Sequence, residues 1–131
     1  MKITRIDRTQ ATYDHDRAAY FDGEVHTQPL VSAADSAELD LLTVYFSAGA
    51  RTRPHRHRQD QVLQIIEGLG IVATDTEKQI VSPGDVIVIP AGTWHWHGAT
   101  RHMAMAHISV MKRGQTEWIV EEKNWATGYE E

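Results

Sequence analysis

The sequence predicts an all-β fold, an antiparallel sandwich or barrel, on three observations. The middle of the chain has no segment of helical period. Its apolar runs are short and rich in β-branched residues. Turn signals separate those runs at near-regular spacing.

Taken in order, residues 39–46 read as the first core strand and 62–66 as the second. Glu67-Gly68-Leu69-Gly70 then forms a hairpin into 71–73, and Asp75-Thr76-Glu77-Lys78 a turn into 79–81. Ser82-Pro83-Gly84-Asp85 is a strong turn signal before 86–89, with Asp85 in a structural role. After Pro90-Ala91-Gly92 come strands over 94–98, 103–111 and 117–120. A turn of helix is expected at 35–39 and a short terminal helix at 121–129. Numerous hairpin-linked strands of this kind close into a sandwich or barrel.

The 131 residues contain no repeat, linker or low-complexity tract, so residues 1–131 read as one domain. Within it, 1–30 are N-terminal extended strands suited to exchange in a homodimer, 39–120 the barrel and 121–131 a C-terminal tail. The absence of cysteine excludes disulfides, thiolate metal sites and thiol nucleophiles, and it agrees with a cytoplasmic location. The charged start, Met1-Lys2-Ile3-Thr4-Arg5, reads as neither secretory signal nor membrane anchor. The net charge is −5, and the basic stretch 51–58 is not accompanied by any nucleic-acid-binding motif. The expected partner is therefore a small-molecule substrate, not nucleic acid or membrane.

The histidines carry the chemistry. His55 and His57 are two apart, so on a strand both imidazoles leave the same face, and Gln61 shares their parity. His95 and His97 repeat the pattern, with Trp94 and Trp96 facing the other way to pack against a second sheet or a partner. His107 stands on a third strand in phase with Met105, Ser109 and Met111. One His-x-His alone reads as polar side chains on a half-exposed sheet. Two pairs, each beside a glycine-rich turn, point to a site for a divalent ion: manganese, iron, cobalt, nickel, copper or zinc. His15, His26 and His102 lie outside this pattern and read as surface residues.

The spacing resembles a known family. Gly49, His55-x-His57, Gln61 and Gly68, followed by Gly84, Pro90-x-Gly92 and His95, match the two motifs of the cupins. The resemblance implies a double-stranded β-helix, or jelly-roll, barrel with one or two short helical segments. It also implies one divalent metal ion on His55, His57, Gln61 and His95. Two positions depart from the motifs: Gln61 stands where many cupins have glutamate, and Ala99 where the second motif often ends in asparagine. An amide in place of a carboxylate leaves the ion its full double charge, hence weaker binding but stronger Lewis acidity. Alternatively Gln61 turns away and three histidines hold the ion.

Further segments, Tyr20-Phe21-Asp22-Gly23-Glu24-Val25, Trp94 to Ala99, Met103 to Ile108 and Glu117-Trp118-Ile119-Val120-Glu121, resemble a bacterial subgroup of small cupins. That subgroup is related to carboxymuconolactone decarboxylase and includes manganese-dependent hydroxynitrile lyases. The resemblance spans residues 20–129, puts manganese first among the candidate ions, and implies that His97 and His107 carry protons in the cavity.

Three differences set this chain apart. Arg58-Gln59-Asp60-Gln61 replaces a proline- and glycine-containing turn, Met111 replaces a substrate-binding glutamine, and Leu42 is bulkier than its counterpart. With Val44, Leu42 and Met111 make a narrow, apolar pocket. Arg53 either meets an anionic substrate at the barrel mouth or is a solvated rim residue. Three functions follow: a metal-dependent lyase or isomerase acting on a small oxygenated molecule, a dioxygenase with the same ligands, or a non-catalytic binding protein.

Overall fold

The computed structural model describes residues 1–13 and 15–119. Thirteen strands are present among them: β1 (Thr12–Tyr13), β2 (Phe21–Asp22), β3 (Val25–Val31), β4 (Leu39–Phe46), β5 (Arg51–Thr52), β6 (His55–His57), β7 (Gln61–Gly68), β8 (Gly70–Thr74), β9 (Lys78–Val81), β10 (Val86–Ile89), β11 (His95–Ala99), β12 (Met105–Lys112) and β13 (Thr116–Trp118). The core strands fall within about two residues of where β-branched runs and turn signals put them.

The helical expectation is corrected. No helix forms over 35–39, where Asp35 N and Ser36 N both donate to Ser32 O (2.9 and 3.0 Å) and the Asp35 carboxylate caps Ser32 N. A short serine- and aspartate-rich stretch satisfies itself as a turn in this way. The helical segments are instead two 3₁₀ turns upstream, Arg8–Gln10 and His15–Tyr20. The expected helix over 121–129 lies outside the described residues.

The strands form two antiparallel sheets. One has the order β1-β3-β4-β12-β7-β10. In the other, β11 is central, flanked on one side by β5 and β6 and on the other by β8, with β13 on β6, β2 on β5 and β9 on β8. The N-terminal strand β3 pairs with β4 of its own chain, and the register slips by one residue after Pro29, which has no N–H to give the ladder. Side chains from the two inner faces meet in a core of Val25, Val44, Phe46, Leu63, Ile65, Val72 and Met105. Alternation is clear along β7, where Gln61, Leu63 and Ile65 are buried and Gln64 is exposed.

Two local features aim strands at the site. Ile66 is an extra residue in β7: Ala106 faces Glu67, but His107 faces Ile65. This bulge restores the phase that turns Ile65, Leu63 and Gln61 inward beside His107, Ser109 and Met111. Gly98, on β11, lies so close to β5 that a Cβ there would stand 2.4 Å from Ala50 O. That close approach seats β11 between its neighbours. Trp96, on the far face of β11, is fully buried against Ile71 and Ala73, with the Arg51 guanidinium 4.9 Å from its ring. These packing partners lie on β8, the neighbouring strand of the same sheet, where the sequence implied a second sheet or a partner. Among the described residues, no helix is long and apolar enough to cross a membrane.

Candidate metal centre

Strand pairing brings the histidines together. His55 on β6 stands directly opposite His95 on β11, and their rings lie 4.2 Å apart between centroids. The His57 ring is 5.1 Å from His55 and 5.5 Å from His95, and the His97 ring is 5.3 Å from His55. Ligand atoms of His55, His95 and His97 come within 4.8 Å of one another, so these three form a group able to hold a metal ion. All of these side chains, with Gln61 and His107, are buried.

Hydrogen bonds fix the ring orientations. His55 Nδ1 meets Arg53 O at 2.7 Å, His95 Nδ1 meets Thr93 O at 2.8 Å, and His57 Nδ1 meets Thr116 Oγ1 at 2.8 Å. A carbonyl can only accept, so in His55 and His95 the proton sits on Nδ1 and Nε2 keeps a bare lone pair. Gln61 Nε2 donates to Ser109 Oγ (2.8 Å), which turns Gln61 Oε1 toward His95 Nε2 at 3.1 Å. Two acceptors then face one another, an arrangement that a cation relieves. Among the described residues, His57 Nε2 and His97 Nε2 are buried and find no hydrogen-bond partner. These donors fit a divalent ion of the imidazole-preferring class.

The electrostatics agree. Burial lowers the pKa of His57, drives those of His55 and His97 well below the ordinary imidazole value, and brings His95 to about 4 and His107 to about 3. In all five, burial disfavours the protonated ring, the form that could not ligate a cation. His97 and His107 form a second unit: His107 Nε2 is 3.0 Å from His97 Nδ1, and Phe46 packs on both rings. Only one nitrogen of that contact carries the proton. With the proton on His97, its Nε2 offers a lone pair. With it on His107, His97 Nε2 carries an N–H.

A cavity of about 100 Å³ opens on the cluster, lined by His55, His57, Gln61, His97 and His107. Leu42, Val44 and Met111 form its apolar wall. Arg53 is not among its lining residues, because its guanidinium pairs with Asp22 at 2.9 Å. Arg17, Phe21, Thr27, Thr116 and Trp118 line the cavity and escaped the sequence reading. They come from segments whose partner strands no local signal reveals. Among the described residues lining the cavity there is no carboxylate. A wider recess, about 400 Å³, lies apart from this cluster between the β8–β9 hairpin and β10.

The Cupin_2 family model, a cupin domain, matches residues 42–111, more than half of the chain. An (R)-mandelonitrile lyase from Granulicella tundricola is 36% identical over 97 residues, covering 73% of this chain and 74% of that enzyme. A gentisate 1,2-dioxygenase from a Ralstonia species is 49% identical over 58 residues, but these are 44% of this chain and only 16% of that protein's length. Among solved structures, a cupin-like protein from Thermotoga maritima superposes with a TM-score of 0.78 at 29% identity, over 84% of this chain and 85% of that one. With two antiparallel sheets closing on a buried histidine cluster, the chain belongs to the cupin family.

Proposed function

We propose that this cupin holds one divalent metal ion, manganese foremost, on His55, His57, Gln61 and His95 and acts as a lyase or isomerase on a small oxygenated organic molecule. The observation that carries this reading is the set of Nδ1 contacts: three motif histidines are each tied to an oxygen at Nδ1, which leaves Nε2 as the ring nitrogen open to an ion. When bound, the ion supplies Lewis acidity, undiminished by any carboxylate ligand. His97 and His107 hold and pass a proton across their 3.0 Å contact, so that His97 Nε2 meets the substrate as acid or base. Leu42, Val44 and Met111 enclose the apolar part of the substrate and exclude water.

The similarity to (R)-mandelonitrile lyase supports the lyase reading. Metal-loaded protein is expected to release benzaldehyde from mandelonitrile, followed by ultraviolet absorbance, with the rate falling at least about a hundredfold in His97→Ala. An unchanged rate in that variant refutes the proton role. The second reading, a dioxygenase with the same ligands, rests on the similarity to gentisate 1,2-dioxygenase, and oxygen uptake with gentisate by iron-loaded protein tests it.

A further inference from the structure

β13 is three residues long, stands at the edge of its sheet, and lies outside the segment matched by the cupin family model. So short an edge strand contributes little to a sheet. Yet it is pinned at several points. Glu117 faces Arg56 in the β6–β13 pairing and accepts from its guanidinium at 3.0 Å, and Ile119 N donates to Pro54 O at 2.9 Å. The two remaining residues of the strand point the other way, into the histidine cluster.

Thr116 faces His57 and places Oγ1 2.8 Å from its Nδ1. Trp118 faces His55 and stacks on it, the centroids 4.3 Å apart and the planes 27° from parallel. Tyr20 covers the other face of the indole at 4.4 Å and 10°, and Phe21 meets it edge-on at 6.4 Å. Each side chain of β13 that faces inward thus holds one histidine of the first His-x-His pair. When the Thr116 hydroxyl accepts the Nδ1 proton of His57, the Nε2 lone pair of His57 is left free, as Arg53 O and Thr93 O leave those of His55 and His95. The indole fixes the plane of His55. An imidazole drained of electron density by a cation is also attracted to an electron-rich indole face.

We infer that β13 is a built-in part of the metal centre: Thr116 and Trp118 are positioning residues that set the affinity for the ion, and Trp118 reports its presence. The inference rests on His55 and His57 being ligands. Partners at this remove from an ion typically change its affinity by about 10- to 100-fold.

The test titrates full-length, metal-stripped protein with Mn²⁺, and separately with Zn²⁺ against a chelating dye, while following tryptophan fluorescence. Thr116→Val is expected to weaken binding at least about tenfold, and Thr116→Ser, which keeps the hydroxyl, to restore it within about threefold. Trp118→Leu is expected to weaken binding and abolish most of the metal-dependent fluorescence change. Trp118→Phe is expected to recover affinity but not the signal. Wild-type affinity in folded Thr116→Val and Trp118→Leu overturns the inference while leaving the ligand reading intact. Equal weakening by Val and Ser at 116 also overturns it, because the hydroxyl then does nothing. If wild-type protein takes up neither ion, the ligand reading fails, and this inference with it.

Discussion

Gln61 shows how much one side chain decides. Its amide is oriented by Ser109, so that nitrogen donates away from the cluster and oxygen faces His95. Parity with His55 and His57 does not carry to Gln61, because β6 and β7 lie in different sheets, and the tether to Ser109 was not legible because the pairing of β7 with β12 is non-local. Gln61→Glu retains the tether, since a carboxylate accepts from the Ser109 hydroxyl, and adds a negative charge. Metal affinity is expected to rise at least about tenfold, which is about 1.4 kcal/mol, while the ion becomes a weaker Lewis acid. Competition titration checks the first part; unchanged affinity means that residue 61 does not touch the ion. Arg53 illustrates the opposite case. Its parity pointed to the barrel mouth, but it pairs with Asp22 from β2, a partner that nothing nearby in sequence announces.

At the scale of elements, the sequence located strands well because each burial pattern is local. Short apolar, β-branched runs and turn chemistry mark β4 and β7 to β12. They do not mark two-residue strands such as β1, β2 and β5, which depend on the neighbour they pair with: β1 on β3, β5 on β11 and β2 on β5. The β7 bulge was equally invisible: nothing in Ile65-Ile66-Glu67 says that Ile66 is the unpaired residue. Its consequence is large, because a one-residue slip sends every side chain to the opposite face. Ile66 itself can be deleted with Glu67 still opposite Ala106 and Ile65 opposite His107, whereas deleting a paired residue, Gln64, is expected to turn Gln61 and Leu63 away from the core and prevent folding or metal uptake. Leu63→Ala, with the register intact, is expected to cost about 2–5 kcal/mol and leave the metal site in place. Denaturant unfolding and metal analysis distinguish the two, and a stable, metal-binding Gln64 deletion variant contradicts the claim that the register of β7 sets the phase.

For the whole molecule, the buried histidines couple fold and pH. Each has its pKa lowered in the folded state, so between the unfolded value near 6.5 and folded values of about 4 for His95 and about 3 for His107, the unfolded chain binds more protons. Their contribution to stability is thus complete above about pH 6.5 and is lost as pH falls toward 4. Each such group contributes up to about 1.4 kcal/mol per pH unit. The melting temperature of metal-free protein is expected to drop steeply over this interval and to stay flat from pH 7 to 8. A flat profile down to pH 4 argues against neutral buried imidazoles.

The central claim is a single divalent ion held by the histidines of β6 and β11. Elemental analysis of protein purified without chelators, alongside His55→Ala and His95→Ala, tests it most directly. The expected result is close to one transition-metal ion per wild-type chain and almost none in either variant, all three remaining folded. Wild-type protein that carries no metal and takes none up, or variants that retain a full complement, contradicts it.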